Sequence, residues 1–219
     1  MNKRLTIISI AFSIAYIFLI GYYVGYHGYN SVRDFKEGFK EGLNEGRGIA
    51  SEHLFTVVQP KQGLSSTPTS VINQKTGENM EVGVSQMAIT VYNAKSLPLK
   101  LKIADFIKYM SALFVLGILI YIPVQSFKVL RSLVKNVVFD MHNIKRIRNI
   151  GYSLLIIFAW STFNMYVDIA KANYLVELKN YKFTVEIEMP ILFLGLVILA
   201  FAEILKMALS MKEENDLTI

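Results

Sequence analysis

KVLRSLVKNVVFDMHNIKRIRNIG, residues Lys128 to Gly151, decides on which side of a membrane the rest of the chain lies. It carries six cationic side chains, Lys128, Arg131, Lys135, Lys145, Arg146 and Arg148, against a single acid, Asp140, and it sits between two long apolar runs. A short connector this basic stays in the cytoplasm, and every other loop takes its side from that assignment. Asp140 is a good N-cap for a helix beginning at Met141, since its carboxylate suits the free amides and positive dipole end of a first turn. Lys145, Arg146 and Arg148 then cross the headgroup layer, and Gly151 lets a neighbouring helix come close where the chain enters lipid.

Outward from the connector, Tyr109 to Phe127 and Asn149 to Val167 each give 19 uncharged residues. A helix rises 1.5 Å per residue, so both are about the length needed to cross a hydrocarbon layer of roughly 30 Å. Met189 to Met211 is a further span, with Pro190 in the first turn where proline is tolerated, although Glu203 and Lys206 interrupt its last third. At the other end, Leu5 to Gly25 is uncharged after a short basic start. A cleaved signal peptide is the rival reading there, but Tyr22, Tyr23 and Tyr26 close the run where a small-x-small cleavage site would stand. An uncleaved anchor with tyrosines at the outer interface fits better. Four spans, an even number, put both termini on the side of the basic connector. The outer loop Asp168 to Glu188 agrees, with three cations and four anions.

Composition points the same way. The chain has 219 residues, of which 53% are hydrophobic and 18% charged, with the apolar residues gathered into blocks, as in a membrane protein. Its net charge of +6 comes from cations at the ends of apolar runs, where they orient helices, so no direct nucleic-acid partner is expected and the bilayer itself is the first partner. With no cysteine, disulfides, thiolate metal sites and cysteine nucleophiles are excluded.

Between the first two spans lies an exported region. Phe35-Lys-Glu-Gly, Phe39-Lys-Glu-Gly and Leu43-Asn-Glu-Gly repeat every four residues, placing Gly38, Gly42 and Gly46 in one stripe of a helix. The stripe either rests on the exported domain of the same chain or forms a homo-oligomer contact. From Phe55 to Lys100 short β-prone pieces follow, FTVV, SVI at 70 to 72, MEVGV and AITVY, separated by turn residues including Lys75-Thr-Gly-Glu78. Residues 182 to 188 alternate apolar and polar and are expected to add a strand to the same small antiparallel sheet.

Chemistry-bearing patterns are sparse. His27, His53 and His142 are scattered with no paired-histidine spacing, and there is no nucleophile elbow, Walker loop or dinucleotide turn. No cofactor, metal or catalytic residue is expected, and the chain is read as a non-enzyme. Within the lipid zone stand Glu203 and, on the third span, Asn164, Ser161 and Thr162. An intramembrane carboxylate defaults to a proton or cation relay. Glu203, however, lies about 13 residues past Pro190, roughly 20 Å down the helix and close to inner headgroups, where Lys206, Arg146 or Arg148 gives it a structural ion pair.

Two stretches carry a family resemblance. One is Phe139-Asp140, Asn143, Arg146-Ile147-Arg148 and Ile150-Gly151-Tyr152; the other is Ala202-Glu203-Ile204 followed by Glu213-Glu214-Asn215-Asp216-Leu217-Thr218-Ile219. Together they resemble the bacterial membrane proteins of the domain-of-unknown-function 2975 family, whose members commonly end in Glu-Gln-Asp-Leu-Thr-Ile. Val138 stands where a proline is common, and Asn215 replaces the glutamine. The resemblance implies the four-span layout and no assigned activity. Members often look like operon neighbours of small helix-turn-helix regulators, which implies a cytoplasmic regulator protein as partner.

The sequence therefore reads as a mainly α membrane protein of the bacterial plasma (inner) membrane: four transmembrane helices with a small exported α+β domain. The segments are 1–26, first span; 27–104, exported domain; 105–127, second span; 128–148, basic connector; 149–170, third span; 171–188, exported loop with a strand; 189–211, fourth span; and 212–219, cytoplasmic tail. The expected activity is that of a non-enzymatic sensor or regulatory partner, and a small transporter or channel subunit is the alternative. Asp140, Asn143, Arg146, Arg148, Gly151, Glu203 and Asp216 are the structural or partner-docking candidates. The tail either docks a partner or is simply solvated.

Overall fold

The protein is known from a computed structural model that describes residues 51–63, 69–92, 95–135 and 140–217, together with Ile7 and Ile14. Among these residues three helices are long and apolar enough to cross a membrane. They are α1 (Leu99–Val134), α2 (Met141–Leu175) and α3 (Met189–Leu217). The expected first span lies outside the described residues except for Ile7 and Ile14, both helical and exposed, and the Gly38, Gly42 and Gly46 stripe lies outside them entirely.

Each helix outruns its apolar stretch. α1 has 36 residues, roughly 54 Å at 1.5 Å per residue, although its uncharged run is only half of that. The apolar run marks the part suited to lipid, whereas the helix ends where backbone amides find other partners. Pro98 opens α1 by accepting from the amides of Leu101 and Lys102. Pro123 sits buried inside α1, and Ser126 Oγ donates to the Ile122 carbonyl at 2.9 Å, a local use of carbonyl capacity near a proline-interrupted ladder. α2 reaches Leu175, so residues 171–175, expected in a loop, are helical. α3 likewise runs through Leu217, which makes most of the expected tail its last two turns.

The described chain divides into two compact units, one of residues 111–160 and 188–217, the other of 51–110 and 161–187. In the helical unit the large side chains point outward: Phe114, Ile120 and Phe193 are 64%, 67% and 70% exposed. The inward positions are small or few, such as Val115, Ile118, Ile144, Ser153 and Ala202. An apolar outer surface around a sparse interior suits helices solvated by lipid, where close backbone packing replaces hydrophobic burial.

Among the described residues the strand unit has five strands in two sheets. β1 (Ser51–Pro60) is central, with β4 (Gln86–Tyr92) antiparallel on one edge and β5 (Tyr181–Phe183) antiparallel on the other. β2 (Thr69–Ile72) and β3 (Asn79–Val82) form a separate antiparallel hairpin, whose turn closes at Gly77 with a φ of 75°. Alternation on β1 places Leu54, Thr56 and Val58 inward, and Val167, Lys171 and Ala172 of α2 and Tyr181 are buried in the same unit. The Tyr181 hydroxyl lies 2.8 Å from Thr69 Oγ1 and accepts from the Val84 amide, joining the hairpin to the larger sheet's strand.

The single sheet expected from the sequence is thus two, and the strand expected over 182–188 is Tyr181–Phe183, extended only by the Thr184 amide donating to the Val57 carbonyl. The alternation from Thr184 to Glu188 is real, but α3 begins at Met189 with its Ile191 amide bonded to the Glu188 carbonyl. A chain about to enter a helix cannot stay in a ladder, so the pairing stops early.

Candidate functional site

The basic connector and the helix it opens form the best-defined polar cluster of the helical unit. α2 starts at Met141, and Asp140 caps it: Oδ1 accepts the His142 amide at 3.2 Å, and the Asp140 carbonyl accepts the amides of Asn143 and Ile144. The cap fixes Asn143 in the first turn, where it is 2% exposed. Its amide nitrogen donates to Ser132 Oγ of α1 at 2.6 Å, and its amide oxygen accepts from Arg146 at 2.9 Å. Both ends of one buried amide are engaged, so Asn143 holds the end of α1 and orients a guanidinium at once.

One turn further on, the Arg148 guanidinium meets Glu203 Oε1 of α3 at 2.8 Å, with side-chain exposures of 28% and 55%. Arg148 is thus the cation that Glu203 takes among the three within reach by sequence. Asn149 donates to the Tyr121 hydroxyl of α1 at 3.0 Å, and Trp160 donates to Ser111 at 3.0 Å. These contacts run α1 and α2 antiparallel through the helical unit.

Gly151 is where α3 comes closest. A Cβ there would stand 2.7 Å from Leu199 Cγ and 3.2 Å from the Gly195 carbonyl oxygen, while one on Gly195 would stand 2.9 Å from Leu155 Cδ2. Gly195 is the reciprocal half of this contact, and the sequence signals it only as a lone glycine in an apolar run. Asp216 lies in the last turn of α3, whose Leu217 is 86% exposed. Asp140, Asn143, Arg146, Arg148, Gly151 and Glu203 therefore converge on one region of three helix segments, and Asp216 stands about three and a half helical turns beyond Glu203 along α3.

A second polar cluster, in the strand unit, is absent from the sequence expectations. Lys108 of α1 pairs with Asp168 of α2, and Lys171 Nζ bridges Asp105 Oδ2 at 2.7 Å and Glu52 Oε2 of β1 at 3.4 Å. Lys171 is only 6% exposed. The signal is legible in retrospect: Asp105-x-x-Lys108 precedes one apolar run and Asp168-x-x-Lys171 follows the next. Each motif occupies one helix face, and an antiparallel pair sets each acid against the other's lysine.

Among the described residues no group of three or more His, Asp or Glu side chains is placed to hold a metal ion. The arrangement fastens helices to one another and holds charge at the start of α2. No curated protein and no solved structure matches the chain. The family described as protein of unknown function (DUF2975) matches residues 82–219, a span that includes all three described helices and every residue of the α2 cluster, and the chain belongs to that family.

Proposed function

We propose that the chain is a four-span protein of the bacterial plasma membrane with both termini in the cytoplasm, and that it works without catalysis, as a sensor or regulatory partner that docks a cytoplasmic protein. The observation that carries this reading is the tying of the end of α1 and the start of α2 through Asn143, and of α2 to the middle of α3 through the Arg148–Glu203 pair. Orienting helices needs only a few cations, whereas here the end of α1 and the capped start of α2 present exposed Lys135 and Lys145, and α3 ends acidic and apolar, with Glu213 and Leu217 exposed. A surface of this kind offers a partner both charge complementarity and an apolar anchor. Read with the positive-inside rule, the loops that carry the strands are exported, and they are the part that would receive a signal.

The test is deletion of residues 215–219 in the full chain, followed by purification from membranes with bound partners. Docking predicts loss of a co-purifying cytoplasmic protein while the folded membrane protein stays abundant. Unchanged partners refute docking, and a fall in abundance with the partner retained assigns the last turn to the fold. The second reading, a small transporter or channel subunit, draws on Thr162 Oγ1 and Asn164 Oδ1 of α2, both buried without a hydrogen-bond partner among the described residues. Cation flux into proteoliposomes is the measurement that separates it from the first.

A further inference from the structure

The ends of α1 and α2 that flank the basic connector each carry an exposed stripe. On α1, Tyr121, Val124, Lys128, Arg131 and Lys135 follow one another at alternate intervals of three and four residues, and all are exposed. On α2 the same intervals join Lys145, Asn149, Tyr152 and Ile156, again all exposed. Residues so spaced share one helix face. The Asn149 amide donates to the Tyr121 hydroxyl at 3.0 Å, so the two stripes meet side by side as the walls of one outward-facing groove. Nearer the connector, the Asn143 amide bonded to Ser132 at 2.6 Å holds the same two helices together.

The groove changes character along its length. Toward the connector, Lys128 stands roughly 10 Å from the level of Tyr121, and Lys145 stands roughly 6 Å from Asn149, at 1.5 Å per residue. The two lysines are therefore on opposite walls within about one helical turn of the same level. None of Lys128, Arg131, Lys135 and Lys145 is ion-paired among the described residues, and neither stripe contains an acid. Nearby acids are engaged: Asp140 caps α2, and Glu203 holds Arg148. Over the whole of this end, from Lys128 to Arg148 and from Glu203 to Leu217, eight lysines and arginines stand against five acids. On the other side of the Tyr121–Asn149 contact the groove is uncharged. Tyr152 and Ile156 are 52% and 43% exposed there, and Gly117, one turn before Tyr121 on the same stripe, has nothing within 4 Å of the place a Cβ would take.

Unpaired cations at one level and an open apolar trough one to two turns deeper fit a phospholipid, with its phosphate at the interface and an acyl chain along the helices. Orienting the helices requires the charges alone and gives no reason for the trough. We propose that this groove between α1 and α2 binds one anionic phospholipid, its phosphate held by Lys128, Arg131 and Lys145 and one acyl chain lying over Gly117 beside Tyr152 and Ile156. Arginine offers a phosphate two parallel donors, and the lysines act as point charges. Four cations without an acid favour a headgroup of net negative charge over a zwitterionic one. The site needs no protein partner, so it stands whether or not Lys135 and Lys145 also serve the docking surface proposed above.

The experiment is thermal unfolding of the purified full chain in nonionic detergent, followed by the fluorescence of its one tryptophan, Trp160, with phosphatidylglycerol, phosphatidylcholine or inorganic phosphate added. Phosphatidylglycerol should raise Tm saturably, by roughly 5–10 °C over phosphatidylcholine at about one hundred times its dissociation constant, and inorganic phosphate should not. Lys128→Gln combined with Lys145→Gln should remove most of that rise. Lys206→Gln with Lys212→Gln, which takes the same charge from exposed positions on α3, should leave it intact. Gly117→Leu fills the trough without touching a charge and should raise the phosphatidylglycerol concentration at half-effect several-fold. Equal Tm in the two lipids overturns the proposal, as does a rise that survives the loss of Lys128 and Lys145. A rise lost equally from both lysine pairs overturns it by assigning the effect to diffuse surface charge, and an equal rise with inorganic phosphate does so by assigning the site to a free anion. An unchanged half-effect concentration in Gly117→Leu overturns it by removing the acyl chain from the groove.

Discussion

Replacing Lys171 with methionine removes an ammonium that serves two carboxylates in the strand unit. Lys171 is 6% exposed, and its closest partner, Asp105, has a side chain only 17% exposed, with Oδ1 lacking a hydrogen-bond partner among the described residues. Taking away one member of a buried pair costs about 3–5 kcal/mol, because the remaining charge is left without compensation. The residual exposure of Asp105 puts the expectation at the lower end, about 3 kcal/mol. For a chain of this size that is a fall in Tm of roughly 6–12 °C. Glu52, at 3.4 Å and 32% exposed, behaves as a surface partner, so Glu52→Gln should cost about 1 kcal/mol or less. Because the desolvation penalty belongs to the charges themselves, Lys171→Met combined with Asp105→Leu should recover more than half of the single variant's loss. Thermal unfolding in detergent monitored through Trp160 measures all four proteins. The reasoning fails if Lys171→Met falls no further than Glu52→Gln, or if the double variant is no more stable than Lys171→Met alone.

Two further outcomes are expected. Gly151→Ala should destabilise the protein by about 1–3 kcal/mol, since the new Cβ meets Leu199 Cγ at 2.7 Å, whereas Gly117→Ala, with nothing within 4 Å, should be neutral or gain up to about 1 kcal/mol of helix propensity; equal effects at the two glycines would contradict the α2–α3 contact. Single cysteines at Lys75 and Lys135, both exposed in a chain without native cysteine, should react with an impermeant maleimide from outside and from inside intact cells respectively. Labelling of both from the same side would overturn the proposed orientation.

Features that depend on a few neighbouring residues were readable from the chain itself. Apolar run length marks the three described helices as fit for lipid, and the start of α2 at Met141 follows from Asp140, since capping involves only the next three amides. Strand pieces and the turn near Gly77 are likewise local, set by alternation and by the backbone freedom of glycine. Helix ends were not legible from hydropathy, because lipid preference and hydrogen-bond continuity are different quantities: α1 and α2 carry charged turns well past their apolar stretches. What only the tertiary structure decided is which distant residues meet. The choice of Arg148 for Glu203, the facing of Gly151 and Gly195, and the exchange of acids and lysines between Asp105-x-x-Lys108 and Asp168-x-x-Lys171 all depend on the register of helices far apart in the chain. The physical reason is range: a capping amide or a turn glycine answers to its immediate neighbours, whereas a buried charge answers to whichever partner the packing brings within about 4 Å.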